Sequence, residues 1–590
     1  MANGYRPIRT SRSCSTAGSR MGWAMSTMDI SIRTGKQSKP GRGADLPMKS
    51  GAKSALKYGR WRLVLVAGAW MGATLACALA PRDAAGPLFI APGGANDPED
   101  TPIPVASIQE LPAETEADDP LLIGSGDLSG EATAGATSEP VLLPTATFPL
   151  VNTAPVLYYT QAGDTLPVVA VRFGVSPDEI TSPEPIPPEA LLNPGQLLII
   201  PNRLANTTSS QHLIPDSEVV FSPSAIEFDV SGFVDQAGGY LKDYRRYLAS
   251  TGVTRGPDIV YRVAIENSIN PRLLLALLEY QSGWVYGKKG EIVETEYMIG
   301  EEDPLEEGLY KQLAWAVNQL SIGYYGWREG RLTEIRFSDG VTARLAPDLN
   351  AGTAALQFYF SRHYDSQGWV EALDEETGFP ALYTAMFGNP WVRAQGVEPL
   401  YPPDLVQPEL ILPFGINQIW GYTGGPHGAW ERDGAWAAID FAPGSMQSGC
   451  IDTQVFAVAS AAGLITRADD GIVAIDLDGD GREQTGWVLI YLHIAKEGRI
   501  QAGSWVEAGE PIGHPSCEGG FSTGTHIHLA RKYNGEWIVA DGPLPFVLSG
   551  WRVVAGEKPY EGKLVRGDQV VIASPLSPSA SQIIRRADDP

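Results

Sequence analysis

Histidine and cysteine are scarce in this chain: its 590 residues hold seven of the first and four of the second. So few cysteines exclude a disulfide-knit scaffold, so the fold must come from hydrophobic cores, and 590 residues exceed what one core serves. Several domains are predicted. Basic residues are also in deficit, 44 Lys and Arg against 69 Asp and Glu, for a formal charge of −25. That balance argues against a nucleic-acid partner, whose phosphates require clustered cations. Long apolar runs are almost absent. The exception is Leu63–Ala80, 18 uncharged residues at the lower edge of what spans a bilayer core.

The charges ahead of that run, from Arg6 to Arg62, are nearly all Lys or Arg, and Ala76, Ala78 and Ala80 close it. Basic flank, apolar centre and small residues describe a secretory signal. Met48, followed by Lys49, Lys53, Lys57, Arg60 and Arg62, would itself make a normal signal start, so residues 1–47 read as upstream of a mis-assigned start codon. Cleaved export is the expectation. An uncleaved anchor is the alternative, because Pro81 hinders cleavage after Ala80; a lipoprotein signal is disfavoured by Thr74 ahead of Cys77. The product is secreted or associated with the cell envelope, meeting a membrane only through that anchor.

After this basic N-terminus and signal or anchor (1–80), residues 81–155 are rich in Pro, Ala, Thr, Gly, Asp and Glu and poor in aromatics. Such a segment buries too little apolar surface to offset ordering entropy and is expected to be a disordered linker. Residues 203–225 read as a second linker. Around them the texture predicts a multidomain α+β chain: a small module at 156–202, a mostly helical domain at 226–405, an antiparallel β-sheet domain at 410–550 and a C-terminal extension at 551–590.

In the small module, Leu157–Thr160 reads as a strand and Gly163-Asp164-Thr165 as a turn, with Asp164 placed to cap a helix from Leu166 to Phe173. Leu197–Ile200 closes it as a second strand. With Phe173-Gly174-Val175 and Pro194-Gly195-Gln196 these segments resemble the LysM module. The resemblance implies a βααβ fold that binds the N-acetylglucosamine backbone of peptidoglycan or chitin, with Gly163, Asp164 and Thr165 as glycan-binding residues. The Pro-rich Ser182–Pro188 departs from it where a second helix would stand.

In 226–405, apolar residues recur at helical spacing in Leu241–Leu248, Pro257–Asn267, Pro271–Tyr280, Ala314–Tyr325 and Asn350–His363. The segment from Asn267 to Gly283 resembles the catalytic helix of lysozyme-like lytic transglycosylases, whose Glu protonates the glycosidic oxygen. Gln281 stands at that Glu position, and an amide cannot donate the proton. Glu279 lies about 200° around the helix. A lysozyme-like but non-catalytic domain is expected.

From Leu410 the pattern changes to short alternating runs, and Ala437–Ala442, Val455–Val458, Ile472–Leu477, Trp487–His493 and Thr525–Ala530 read as strands. Five of the seven histidines fall here: His427, His493, His514, His526 and His528. Positions two apart on a strand share a face, so His526 and His528 project into one space. Joined by another His and a carboxylate, such a pair makes a three-ligand zinc site with an open fourth position. Cys450 and Cys517 lie in the same domain, either as a disulfide or as two free thiols.

Four motifs in order, Ile439–Gly444, Val458-Ala459 with Ala462-Gly463, Tyr491-Leu492-His493 and Gly519–Leu529, resemble the lysostaphin and β-lytic family of zinc endopeptidases. The resemblance implies one zinc ion held by His427, Asp440 and His528, with His493 and His526 as catalytic groups beside it. Trp436 stands where the commoner branch has its first ligand, four residues before the Asp. His427, thirteen before it, matches the longer spacing of the β-lytic branch. Asp476-Leu477-Asp478-Gly479-Asp480-Gly481 resembles a calcium loop, but Trp487 replaces the Glu at its twelfth position. A plain hairpin turn is expected there, with weak calcium binding as the alternative. His514 reads as a structural loop residue. Export, a sugar-backbone binder and a peptide cutter together imply an exported zinc metalloendopeptidase acting on peptidoglycan. The alternative is a non-catalytic peptidoglycan-binding scaffold with a degenerate peptidase domain.

Overall fold

The structure is a computed structural model describing residues 154–445 and 447–589. The expected signal or anchor and nearly all of the 81–155 linker, with the two N-terminal cysteines, lie outside the described residues. Among the described residues no helix is long and apolar enough to cross a membrane.

The small module pairs Val156–Tyr159 with Leu197–Ile200 antiparallel, Tyr158 opposite Leu198. The Leu166–Phe173 helix and a 3₁₀ turn at Pro177–Glu179 lie between them. Tyr158, Val169, Phe173, Leu192 and Leu198 form its core. Asp164 does not cap the helix. Its carboxylate accepts bonds from the Tyr158 hydroxyl at 2.6 Å, the Gln161 amide at 2.7 Å and the Arg172 guanidinium at 2.8 Å. A buried carboxylate is better stabilised by a cation than by a helix end alone, and Arg172, itself buried, reaches it from the last turn of the helix.

Helices at Gly256–Asn267, Pro271–Ser282, Leu309–Arg328 and Ala351–His363 dominate the next region. Asn270 caps the second by accepting from the Arg272 amide, and Gly283 ends it in the left-handed conformation. The helix expected over Leu241–Leu248 stops at Asp243; Arg245–Leu248 turns back to pair with Gly252–Arg255 as an exposed hairpin. Residues 203–225 are no solvated linker. Ile214, Val219, Val220, Phe221 and Ala225 are buried, and Asp216 accepts bonds from the Asn350 side chain and the Gly352 amide.

A nine-stranded antiparallel sheet follows. Its order runs Trp505–Val506, Gly463–Arg467, Val473–Asp476, Trp487–Leu492, Ile527–Tyr533, Ala438–Pro443, Ile419–His427 and Gln582–Ile584, with Glu536–Trp537 added beside Ile527–Tyr533. Period-two alternation divides it into two faces. Ile439, Phe441, Leu489, Tyr491, Ile527 and Leu529 point into one core. Ala438, Ala474, Val488, Ile490, Leu492 and Ala530 point the other way, into the same core as Val263, Leu277 and Leu320 of the helices. The helical region and the sheet therefore share a core across the boundary expected near residue 410. Residues beyond 550 are equally integral: Val547–Leu548, Trp551–Ala555, Gly562–Arg566 and Gln569–Ile572 make a four-stranded sheet, and Gln582–Ile584 closes the edge of the large one.

Arg328, buried at the end of its helix, ties these parts together. It pairs with Asp216 at 2.9 Å and with Glu536 of the sheet at 3.1 Å. It also packs beneath Gly163, where any Cβ would collide with the guanidinium. The turn carrying Gly163, Asp164 and Thr165 thus rests on the helical region, with Asp164 and Thr165 buried.

Candidate metal centre

Three adjacent strands bring the site together. Register places His528 opposite both Asp440 and Leu492, and two irregularities after Tyr422 carry His427 alongside. Asp440 and His528 project from the face that packs on the helices, since they alternate with Ile439, Phe441, Ile527 and Leu529 of the opposite core.

Their polar atoms converge. His427 Nε2 stands 2.9 Å from His528 Nδ1, and each is 3.3 Å from Asp440 Oδ1. All three residues are buried. His427 donates Nδ1–H to the Gly425 carbonyl at 2.8 Å, and His528 donates Nε2–H to the Ala429 carbonyl at 2.9 Å. Each bond leaves the opposite nitrogen of its ring with a lone pair facing the centre, as backbone carbonyls commonly fix ligating imidazoles. Two lone pairs at that separation repel unless a proton or a cation lies between them. Asp440 Oδ1 is also a buried oxygen without a hydrogen-bond donor, an arrangement that is costly to leave unmatched.

The donor set fits zinc. Tetrahedral bonds of about 2.0–2.2 Å separate neighbouring donors by about 3.3–3.6 Å. Two edges of the triangle match, and the His–His edge is shorter by about 0.4 Å. Two nitrogens and one carboxylate oxygen suit zinc better than a hard cation such as calcium. Burial works against the Asp440 charge, yet the imidazoles of His427 and His528 hold it well below the usual carboxylate range. Burial also opposes charge on His427, but Asp440 raises it; burial prevails at His528 and lowers it.

His526 and His493 stand beside this triangle. His526 Nε2 is 3.8 Å from Asp440 Oδ1, and the His493 and His526 rings are 4.5 Å apart. Both donate Nδ1–H to backbone carbonyls, His526 to Gly524 at 2.7 Å and His493 to Glu518 at 2.8 Å. His493 adopts φ 63°, a strained conformation for a residue with a Cβ. Ser516 holds it there through two bonds to its carbonyl, and burial pushes its pKa down to about 4, helped by His526 and His528. Cys450 and Cys517 form a disulfide that ties the loop before His526 to the segment after Asp440. Trp436 lies away from the centre, its ring under the Arg331 guanidinium.

Sequence reasoning missed Tyr560. It stacks on His427 with centroids 4.0 Å apart, and its backbone bonds both Gly425 and Pro426. Nothing in its sequence setting signalled this. The Ala429 carbonyl was equally silent, since a main-chain acceptor leaves no residue-type signature.

The remaining candidates are engaged structurally. Asp476, Asp478 and Asp480 gather, but Asp476 accepts from the Asp478 and Gly481 amides and Asp478 from the Asp480 amide. His514 donates to the Val455 carbonyl, and its ring lies tilted against Phe456. Gln281 bonds the hydroxyls of Tyr359 and Tyr364, while Glu279 accepts from the Val285 and Tyr286 amides.

A family model described as LasA, N-terminal domain, matches residues 212–401, the region read from sequence as lysozyme-like. Protease LasA of Pseudomonas aeruginosa, from two strains, is 26% identical over 313 residues, covering 50% of this chain and 69% of the relative. Solved structures with local likeness include the M23 metalloprotease Pseudoalterin from the deep sea, at 22% identity over 28% of this chain and 96% of that one, TM-score 0.25. The catalytic domain of lysostaphin from Staphylococcus simulans shares 24% identity over 21% of this chain and 90% of that one, TM-score 0.16. The chain is thus LasA-like over about half its length.

Proposed function

We propose that this chain is a zinc metallopeptidase that hydrolyses peptide bonds of bacterial peptidoglycan. The observation that carries the reading is the buried Asp440 oxygen without a donor, faced by two imidazole nitrogens whose protons are committed to backbone carbonyls. Similarity to a protein named a protease supports it.

His427, Asp440 and His528 would hold the metal. When bound, zinc activates water near neutral pH and polarises the scissile carbonyl. His493 and His526, oriented through Nδ1, would use Nε2 to take the proton from the attacking water, stabilise the developing oxyanion and protonate the leaving amine. Glycan targeting by the small module belongs to the same proposal, with Gly163, Asp164 and Thr165 as its binding turn; to meet a sugar, that turn must part from Arg328. A helical region that does no sugar cleavage, and export through the N-terminal apolar run, complete the reading.

The test uses the full chain. Expected are one zinc per molecule, release of new amino termini from purified sacculi, abolition by a chelator and recovery on adding zinc. A folded protein that binds no zinc would overturn the enzyme in favour of a peptidoglycan-binding scaffold. Zinc-dependent cleavage of Gly-rich protein but not of sacculi would overturn the substrate alone.

A further inference from the structure

We infer that the Leu309–Arg328 helix keeps the metal centre in register through Asn318, a positioning residue for His528. The inference rests on reading His427, Asp440 and His528 as metal ligands.

Between His427 and Ala438 the chain leaves the sheet, and this loop supplies the Ala429 carbonyl that receives His528 Nε2–H. The bond decides which nitrogen of His528 faces Asp440. If the carbonyl swings away, the imidazole is free to rotate or change tautomer, and the triangle opens. The base of the loop is buried in the core shared with the helices, through Ala429, Ala435 and Ala437, and Ala429 and Ala437 both donate to the Ala435 carbonyl, at 3.0 and 2.8 Å. Its tip, Arg432 and Asp433, is exposed, and a tip without partners would fray and loosen the segment leading back to Ala429.

The helix supplies the missing restraint at the tip. Asn318 Nδ2 donates to the Asp433 carboxylate at 3.3 Å, and the Asp433 amide donates back to Asn318 Oδ1 at 3.2 Å. One turn further, Ser321 packs against Gly434, where a Cβ would stand 3.1 Å from that of Ser321. Residues three apart share a helix face, so both contacts come from one stripe. Past the helix end, Arg331 covers Trp436. These contacts fall on 433, 434 and 436 and on none of the metal-facing side chains. Asn318 therefore acts on the centre only by fixing the loop that orients His528.

The experiment compares zinc affinity, by competition with a chelator, in the full-length wild type and in Asn318→Ala. Loss of a bond orienting a ligand typically costs 10–100-fold in metal affinity; Asn318 acts one step further out, so about a three- to tenfold weakening is expected. The melting temperature of the metal-free protein should barely move, since the pair is solvent-exposed. The double variant Asn318→Asp with Asp433→Asn reverses the side-chain bond and keeps an acceptor for the 433 amide, and should recover wild-type affinity. Unchanged zinc affinity in Asn318→Ala, or an exchanged pair no better than the single variant, overturns the inference. A wild type that binds no zinc overturns the metal reading itself, before any variant is compared.

Discussion

Around the partly buried Gln281 and the buried Asp440 this protein partners polar side chains in opposite ways. The Gln281 amide sits between two tyrosine hydroxyls, donating to one and accepting from the other, and Glu279 nearby is satisfied by two backbone amides. Asp440 Oδ1 has no donor, although three imidazoles surround it. Polar groups that complete one another stabilise a fold; acceptors that converge without protons ask for something the chain does not contain. Lone buried atoms without a partner also occur in the helical region, at Asn267, Asn350 and His363; what sets the sheet site apart is that its acceptors converge on one point.

The largest effect should come from giving the Asp440 position a proton donor. Asp440→Asn keeps the shape but removes the charge and lets an amide N–H face His427 and His528. Zinc content should fall close to zero, and peptide cleavage by about a thousandfold or more. Metal analysis of the purified variant checks it. A variant that retained stoichiometric zinc and parental cleavage would erase the contrast between the two regions.

Arg328 tests whether the regions are separable at all. Its guanidinium is buried between Asp216 and Glu536, so Arg328→Met strands two carboxylates in the interior. Breaking such a buried arrangement costs about 3–5 kcal/mol, to be read from urea unfolding. One transition should remain, because Ala438, Ile490, Leu492 and Ala530 share their core with the helices. Two resolved transitions would mean that the helices and the sheet unfold independently.

How far this was legible in the sequence varies with the kind of interaction. Alternation placed five strands close to where they lie, and the His-x-His spacing put His526 and His528 on one side; a strand's geometry is local, so the chain writes it locally. His427 could be named only through a family resemblance, because two backbone irregularities bring it to Asp440. Alternating apolar and polar runs imply one covered sheet face, and nothing in them announced that helices from 256–328 cover the other. Segment 203–225 looked like a linker because its buried residues follow no period; they fill gaps between elements. Asp164 was misplaced as a cap because its partner, Arg172, is identifiable only once the helix is folded.

Among the titrating groups of the helical region, His363 is an exception to that contrast. Its Nε2 is buried without a partner, and burial pushes its pKa down to about 4. Native His363 therefore stays neutral where an unfolded chain, with a pKa near 6.5, takes up a proton. Its contribution is fully present above pH 6.5 and is lost as the pH falls towards 4, about 2 kcal/mol between pH 7 and pH 5. Unfolding free energies of the wild type and His363→Leu at both values isolate it: the variant should lose less on acidification. Equal losses would show that His363 titrates normally.

The smallest expected effect is at Gln281. Replacing it by Glu puts an acceptor where both the Tyr359 and Tyr364 hydroxyls can turn to donate, so the local network survives and stability should change by no more than about 1 kcal/mol. The side chain has no bonded path to His427, Asp440 or His528, so zinc affinity and peptide cleavage should stay within about twofold of the parent. Glycan strands of purified sacculi provide the second readout. If the Glu variant cleaved them, the helix would be a disarmed lysozyme-like acid site one atom from function, and the region assigned to support would be catalytic machinery in waiting. If the strands stay intact while peptide cleavage persists, reactivity in this molecule belongs to the unsatisfied acceptors on the sheet and to none of the satisfied ones in the helices.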